Sequence, residues 1–257
     1  MSKVILVSID GMRADSPTNC GSPFVAYLME RGSYTLTART VYPSVTLPCH
    51  LSLFYSQPPE RHGTLTNTFV TPVRPINGLL EQLYHSGKRS ATYSGWEPMR
   101  NISRADEILF ASEYIRAYSF EHTDAMLTDS AMRYMRLAHP DFVFLHLVET
   151  DGKGGHDTGW MSETYLDYVR LAFENVRRIH DEFGDEYEII ITADRGGHDR
   201  HHGSDLPEDM TIPMFFLGSS FAPGRDLGEI SILDLTPTIA ALIGIQPHHG
   251  WEGRSVI

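Results

Sequence analysis

Acidic and imidazole side chains collect in a few short stretches of this chain, each of them shortly after an apolar run. The residues are Asp10, Asp151, His156, Asp194, and His198 or His202. Carboxylate oxygens and neutral imidazoles suit Zn²⁺ or Mn²⁺, whereas Mg²⁺ prefers oxygen ligands alone. Three aspartates with two or three histidines exceed the ligand set of one four-coordinate ion. We therefore expect two divalent ions, with Zn²⁺ first and Mn²⁺ as the alternative.

A threonine lies where such ions could activate it. Prolines keep the segment around Thr46 irregular until a helix begins near Pro48, a residue type favoured in the first turn. Backbone N–H groups at a helix N-terminus favour a bound oxyanion. Thr46 could then act as a metal-activated nucleophile, forming a phosphothreonine that water later cleaves. The same placement is typical of a plain helix N-cap, and the residues alone leave both roles open.

The isoleucine run at 189–191, which follows Glu188, predicts a strand buried on both of its faces. It cannot continue through Asp194 and the glycine pair Gly196-Gly197 without leaving the core, because paired glycines are typical of tight turns. Asp194 should therefore lie at the carboxyl end of a central strand. Ligands of open α/β sheets bind at that end of the strands.

Two more apolar runs, 4–9 and 142–148, end in the same way. Asp10 follows the first run directly, and the second leads into the glycine-rich stretch that holds Asp151 and His156. Taken singly, an Asp-Gly pair is also typical of an ordinary turn. Because the carboxyl ends of parallel strands share one edge of a sheet, we expect these side chains to converge there.

Helices and strands are predicted to alternate along the chain. Helices are expected at 23–31, from Pro48 onward, and at 77–87, 124–137, 162–183 and 231–244, with further strands at 89–93 and 210–217. This alternation predicts an α/β fold, a three-layer α/β/α sandwich around a mostly parallel sheet. We expect one domain over 1–257 that carries a short cap at about 96–122.

Composition limits the partners. The chain has 257 residues and a net charge of −12, which argues against binding a nucleic-acid polymer. Free nucleotides and phosphate esters are still compatible with this negative charge, because a bound metal reverses the local electrostatic field. The two cysteines and the short N-terminal apolar run favour a reducing, cytoplasmic location without a signal peptide. No apolar stretch has the length of a membrane span, and the sequence does not assign an oligomeric state.

The chain resembles the alkaline phosphatase superfamily and, within it, the nucleotide pyrophosphatase/phosphodiesterase branch, the type I phosphodiesterases. The resemblance runs nearly end to end, and the order and spacing of short motifs make it specific. The motifs are Ile9-Asp10-Gly11-Met12-Arg13, Tyr42-Pro43-Ser44-Val45-Thr46-Leu47-Pro48-Cys49-His50, Arg61-His62-Gly63, Asp151 with Gly155-His156, Thr192-Ala193-Asp194, His202-Gly203-Ser204-Asp205, Leu233-Asp234-Leu235-Thr236-Pro237-Thr238-Ile239-Ala240 and Gly253-Arg254-Ser255.

The resemblance implies a ligand set for each of two ions. One ion would be held by Asp151, His156 and His202. The other would be held by Asp10, Thr46 and Asp194, together with a histidine directly after the last aspartate.

The residue at that last position is Arg195, where the sequence departs from the family pattern. Arginine cannot ligate a metal, because its guanidinium stays protonated and has no acceptor lone pair. Three explanations stay open at this point. The second ion could bind weakly, His198 could swing in as the ligand, or Arg195 could itself supply the positive charge that binds a phosphate.

Two further residues are candidates for contact with a ligand. Cys49 stands where the family usually has an asparagine that helps to hold a phosphoryl oxygen, and Asn67 lies in a polar loop and could point at a ligand. The interval from Asp151 to His156 is also longer than the family's usual spacing.

We expect a metal-dependent phosphoesterase that acts on a small phosphorylated substrate, with a nucleotide as one candidate. The alternative is a degenerate member of the family that binds a phosphorylated ligand with little or no turnover, because Arg195 replaces a ligand histidine.

Overall fold

The computed structural model describes residues 2–73, 75–103, 108–117 and 120–257. Eight strands form one sheet in the order β4-β3-β5-β1-β6-β7-β2-β8. The strands are β1 Lys3–Ile9, β2 Ser33–Arg39, β3 Ser90–Ser94, β4 Ala111–Tyr114, β5 Phe142–Leu147, β6 Tyr187–Thr192, β7 Thr211–Leu217 and β8 Arg225–Asp226. β7 is antiparallel to both of its neighbours, and every other described pair is parallel. The predicted α/β fold is confirmed.

Helices cover the sheet because its central strands are apolar on both faces. All residues of β5 and β6 are buried, as are those of β1 after its first residue. The helices are α1 Ser16–Asn19, α2 Pro23–Arg31, α3 Thr46–Tyr55, α4 Pro59–His62, α5 Leu79–His85, α6 Thr123–Ala138, α7 Glu163–Phe183, α8 Pro207–Met210 and α9 Leu235–Ile243. Helices α1, α2 and α6 pack against α7, whereas α5 and α9 pack against α3.

Most predicted elements are present with small shifts at their ends. Helix α2 spans the predicted residues, and Ser162 caps α7 by accepting a hydrogen bond from the Tyr165 backbone N–H at 3.1 Å. The helix predicted at 231–244 is a 3₁₀ turn, Ile232–Asp234, that leads into α9. Strand β2 was not predicted from the sequence.

The predicted cap at about 96–122 is only partly described, since positions 104–107 and 118–119 lie outside the described residues. The described part holds a 3₁₀ turn, Glu97–Ile102, and strand β4, which joins the main sheet parallel to β3. This segment therefore extends the edge of the sheet beside the carboxyl end of β3. None of the described helices is both long enough and apolar enough to cross a membrane.

Candidate active site

Three aspartates meet at one edge of the sheet because their strands are neighbours. β1 lies between β5 and β6, and Asp10, Asp151 and Asp194 follow the carboxyl ends of these strands. Asp10 and Asp151 line a cavity of ≈ 120 Å³, and Asp194 is fully buried. The residues that line this cavity are Asp10, Thr46, Asn67, Gly95, Trp96, Val148, Asp151, His156 and His202. The sequence prediction of convergence at this edge agrees with the structure.

One carboxylate and two imidazoles form the first cluster, which we call the rim position. Ligand atoms of Asp151, His156 and His202 lie within 4.8 Å of one another. The Nδ1 atoms of the two histidines pair with the carbonyls of Arg200, at 3.0 Å, and Ser44, at 3.1 Å. An Nδ1–H that donates to a carbonyl leaves Nε2 with the lone pair that a metal needs.

The electrostatics of the rim position suit a cation. Burial and then the neighbouring Arg195 lower the pKa of His202 to about 3, so that this imidazole is neutral. Burial opposes ionisation of Asp151, but Arg195 holds its pKa below the usual value, so that it is a carboxylate. Two histidines and one carboxylate are a ligand set that Zn²⁺ accepts in catalytic sites. The residues at the rim position thus fit one of the two predicted ions.

Trp160 positions the rim ligands, and sequence reasoning did not single it out. Its indole N–H donates to the Gly11 carbonyl at 2.8 Å, and its ring stands edge-on to His156 with the centroids 5.2 Å apart. A Cβ added at Gly155 or at Gly197 would lie 2.5 or 2.2 Å from this indole. Both glycines are therefore required by a close approach, which brings the loops after β5 and β6 together.

The stretch that carries Asp151 is a π-helical turn, Thr150–His156. It packs against α7, where a Cβ on Gly154 would lie 3.2 Å from Tyr165 Cα. The wider π turn places Asp151 and His156 on the same side, although five positions separate them. This geometry accommodates the long interval noted in the sequence.

The second group of predicted ligands surrounds a guanidinium, and we call it the arginine position. Arg195 is fully buried, and its Nη2 lies 3.0 Å from Asp10 Oδ1, 3.0 Å from Thr46 Oγ1 and 2.8 Å from Asp151 Oδ1. Its Nε lies 3.7 Å from Asp194 Oδ2. The guanidinium therefore lies among the oxygens expected to bind the second ion. The residues present do not fit an ion there.

Burial and the neighbouring carboxylates shift the pKa of Arg195 in opposite directions. Burial alone would lower the pKa of Arg195, but Asp151, Asp194 and Asp10 together raise it above its ordinary value. Burial, and then repulsion from Asp151, raises the pKa of Asp10 to about 7. Burial, and then repulsion from Asp10, raises the pKa of Asp194 to about 6. One guanidinium does not fully compensate three buried carboxylates.

Thr46 is the first residue of α3, and Val45 is the N-cap. The Thr46 hydroxyl pairs with Arg195 and lines the cavity, which removes the alternative of an N-cap role. Asn67 also lines the cavity, and its Oδ1 accepts from the Leu47 backbone N–H at 3.0 Å. With Oδ1 engaged, the Nδ2 group of Asn67 is the donor that could meet a ligand oxygen.

Two buried histidines behind the aspartates were not assigned to the site by sequence reasoning. His146 has its Nε2 2.9 Å from Asp10 Oδ2 and its Nδ1 2.9 Å from Ser94 Oγ. His50 has its Nδ1 2.8 Å from the Thr46 carbonyl. Burial lowers the pKa of His146 to about 4 and that of His50 to about 3, so that both are neutral. Their placement at a strand end and one turn into α3 was the available signal.

The structure does not bring Cys49 and His198 into the cavity. Cys49 is buried inside α3, near the Pro43 carbonyl, and burial raises the pKa of its thiol to about 12. The Nδ1 of His198 lies 2.8 Å from Asp209 Oδ1. His198 is held by that carboxylate, so that it does not replace the missing ligand histidine next to Asp194.

A mostly parallel sheet with aspartates and histidines collected at its carboxyl edge is the architecture of an alkaline-phosphatase-like α/β protein. The family model described as type I phosphodiesterase / nucleotide pyrophosphatase matches residues 4–208. The chain belongs to this family, as its sequence motifs predict.

Known relatives agree with this membership, and solved structures share the fold. Ectonucleotide pyrophosphatase/phosphodiesterase family member 7 of Rattus norvegicus is 23% identical over 261 residues, which cover 91% of this chain and 57% of the relative. The chain thus spans little more than half of that protein. The structure of murine ectonucleotide pyrophosphatase/phosphodiesterase 5 is similar, with a TM-score of 0.81, 16% identity and 97% coverage of both chains. An inactive variant of that murine protein, in complex with AMP, has the same TM-score at 15% identity and the same coverage.

Proposed function

We propose that this protein is a metal-dependent phosphoesterase of the phosphodiesterase/nucleotide pyrophosphatase type, with Thr46 as its nucleophile. The observation that carries the proposal is the position of the Thr46 hydroxyl. It lies on the wall of the same small cavity as the rim position and within 3.0 Å of a buried guanidinium. A nucleophile between a site for a divalent cation and a guanidinium is the arrangement that phosphoryl transfer needs.

The reaction would run in two displacements. Thr46 Oγ loses its proton to solvent and bonds to phosphorus, while the P–O bond to the leaving group breaks. The leaving group departs with the electron pair and takes up a proton. Water then attacks phosphorus, the Oγ–P bond breaks, and the hydroxyl of Thr46 is restored. A diester or anhydride thus yields an alcohol or phosphate and a phosphate monoester, with one water consumed.

Each polar group around the cavity has a part in this scheme. A divalent cation bound by Asp151, His156 and His202 would supply Lewis acidity to the phosphoryl oxygen, with Zn²⁺ preferred for this ligand set. The guanidinium of Arg195 stabilises the negative charge that develops on Thr46 Oγ. The Nδ2 group of Asn67 donates to a phosphoryl oxygen.

The substrate we propose is a small phosphate diester or anhydride, with nucleotides as the first candidates. The AMP complex of the murine relative supports a nucleotide. The ≈ 120 Å³ cavity has room for little more than a phosphoryl group. A wider groove of ≈ 550 Å³ adjoins it through Gly95 and Trp96 and is lined further along by Tyr114 and Arg116. A leaving group or nucleoside would extend into this groove.

The test is hydrolysis of bis-p-nitrophenyl phosphate in the presence of Zn²⁺ or Mn²⁺. We expect Thr46→Ala to lose at least about 10³-fold in turnover, whereas Thr46→Ser, which keeps the hydroxyl, stays within about tenfold of wild type. Acid quenching during turnover should leave a phosphoryl group on the peptide that contains Thr46. Wild-type rates in Thr46→Ala would contradict the proposal.

A second function is favoured by one observation, the replacement of a family ligand histidine by Arg195. On this account the protein binds a phosphorylated ligand without turning it over. Calorimetric binding of AMP at micromolar affinity, together with no hydrolysis of diesters or of nucleotide anhydrides, would favour it over the enzyme.

A further inference from the structure

We infer that the Arg195 guanidinium permanently takes the place of a second metal ion, so that the chain binds one divalent cation. The cation site itself does not require turnover, but the catalytic role of Arg195 rests on the proposed function. The contacts that carry the inference come from one atom. Nη2 of Arg195 lies within 3.0 Å of oxygens from Asp10, Thr46 and Asp151. Arginine offers donors only and binds these oxygens as a cation does.

The side chain cannot easily leave this place. Arg195 has no exposed surface, and its Nη1 donates to the Gly196 carbonyl at 3.2 Å. The backbone on its C-terminal side is fixed by the Gly196 N–H, which donates to the backbone carbonyl of Asp209 at 2.8 Å. Gly11 closes the other side so tightly that a Cβ there would lie 3.2 Å from Nη1. An ion could enter only if this packing opened.

The charge of the site points to the same number of ions. Asp10, Asp151 and Asp194 are all buried, and Arg195 is the cation in contact with each of them. Three carboxylates and one guanidinium carry at most two net negative charges in the buried cluster. One divalent cation at the rim position neutralises them. A second ion would leave the cluster with excess positive charge and would also repel the guanidinium.

Two buried atoms without a hydrogen bond also indicate that the guanidinium occupies a place suited to an ion. Arg195 Nε and Asp194 Oδ2 are buried, face each other at 3.7 Å, and make no hydrogen bond within the described residues. Nη2 of Arg195 reaches the carboxylates of Asp10 and Asp151, whereas Nε stays 3.7 Å from Asp194 Oδ2. The coordination shell of an ion could include the Asp194 oxygen, whereas the arginine leaves it without a partner.

In the proposed reaction, Arg195 is then a catalytic residue. A fixed positive charge 3.0 Å from Thr46 Oγ1 lowers the free energy of the alkoxide without any need to acquire a metal from solution. The guanidinium does not lose its proton in proteins, so this charge does not depend on the titration of a neighbouring group. The guanidinium carries a single positive charge, so it should activate Thr46 less strongly than a divalent ion would.

The experiment measures bound metal per chain, by elemental analysis after equilibrium dialysis against Zn²⁺ and by calorimetric titration with Mn²⁺. We expect one ion in wild type, two in Arg195→His, none in His202→Ala and one in the double variant Arg195→His/His202→Ala. His201→Ala, an exposed neighbour, is the matched control and should bind one ion. Melting curves and circular dichroism establish that each variant is folded.

Two ions in wild type would overturn the inference, and so would a folded Arg195→His variant that binds only one. Should Arg195→His fail to fold, the wild type and His202→Ala still decide the matter, with one and zero ions expected. These counts do not depend on turnover. A wild type that binds one ion but hydrolyses no phosphate ester would remove the proposed function and leave the single cation site standing.

Discussion

The rim position and the arginine position lie side by side at one edge of the sheet and are built from similar residues. At the rim position, Asp151, His156 and His202 present their ligand atoms to the cavity. At the arginine position, a fully buried guanidinium lies between Asp10, Thr46 and the other carboxylates. On the inference drawn above, the residue directly after Asp194 decides whether the positive charge at this position is an exchangeable ion or a permanent guanidinium.

The largest expected effect breaks the rim position. His202→Ala removes one of three ligands, so we expect metal binding to be lost and turnover of bis-p-nitrophenyl phosphate to fall by at least about 10³-fold. Elemental analysis and initial rates provide the measurement. His201→Ala alters the adjacent exposed histidine and should behave as wild type. Full metal occupancy in His202→Ala would refute the assignment of the rim position.

The next effect breaks the arginine position and leaves the rim position intact. In Arg195→Lys the ammonium has no counterpart of the Nη1 group that bonds to the Gly196 carbonyl, so it is not held at the position of Nη2, 3.0 Å from Thr46 Oγ1. We expect turnover to fall by roughly 10²-fold, because a misplaced donor to the nucleophile costs about 3 kcal/mol of transition-state stabilisation.

Metal affinity in Arg195→Lys should change less than turnover, since the charge of the cluster is retained. Rates and calorimetric titrations, made on the same preparation, separate the two effects. Equal losses in rate and in metal affinity would mean that the two positions are not independent.

Trp160 contacts the rim ligands, and its substitution sharpens the comparison. Trp160→Phe loses the hydrogen bond to Gly11 and part of the ring that packs against His156. We expect metal affinity to fall about 10- to 100-fold, the range found when groups that orient metal ligands are changed. Trp251→Phe, which loses a similar indole bond to the Asn77 carbonyl, is the control and should keep wild-type affinity.

The smallest expected effect is on stability and concerns Asp124, whose carboxylate holds the backbone just before the π-helical turn. Asp124 accepts hydrogen bonds from the backbone N–H groups of Val148 and Glu149, at 2.9 and 3.1 Å. Burial, and then repulsion from Glu149, raises the pKa of Asp124 to about 7. A carboxyl whose folded pKa exceeds its unfolded value holds its proton better in the folded state.

The stability that Asp124 contributes should therefore be fully present below about pH 4 and be lost as the pH rises to about 7. The measurement is the free energy of unfolding of wild type minus that of Asp124→Asn, determined in urea across this range. We expect the difference to fall by a few kcal/mol at most with rising pH. A constant difference would show that Asp124 does not titrate there.

The sequence predicted the sheet and the place of the site because both depend on local patterns. Buried runs such as 188–191 encode central strands, and acids at their ends must share an edge. The contacts of Arg195 could not be read from the sequence, since they depend on side chains from β1, β5 and α3 that are remote in the chain.

Other features were hidden for similar reasons. The two glycines that face Trp160 look like turn glycines until the indole is seen between them. The two-ion prediction keeps geometric support at the rim position only. The cytoplasmic location stays a prediction.

The measurement that tests the central claim most directly is anomalous diffraction at the zinc edge, from crystals equilibrated with excess Zn²⁺. We predict one strong peak between Asp151, His156 and His202, with the Arg195 guanidinium still bonded to Thr46. A second peak between Asp10 and Asp194, with the guanidinium displaced, would contradict the account.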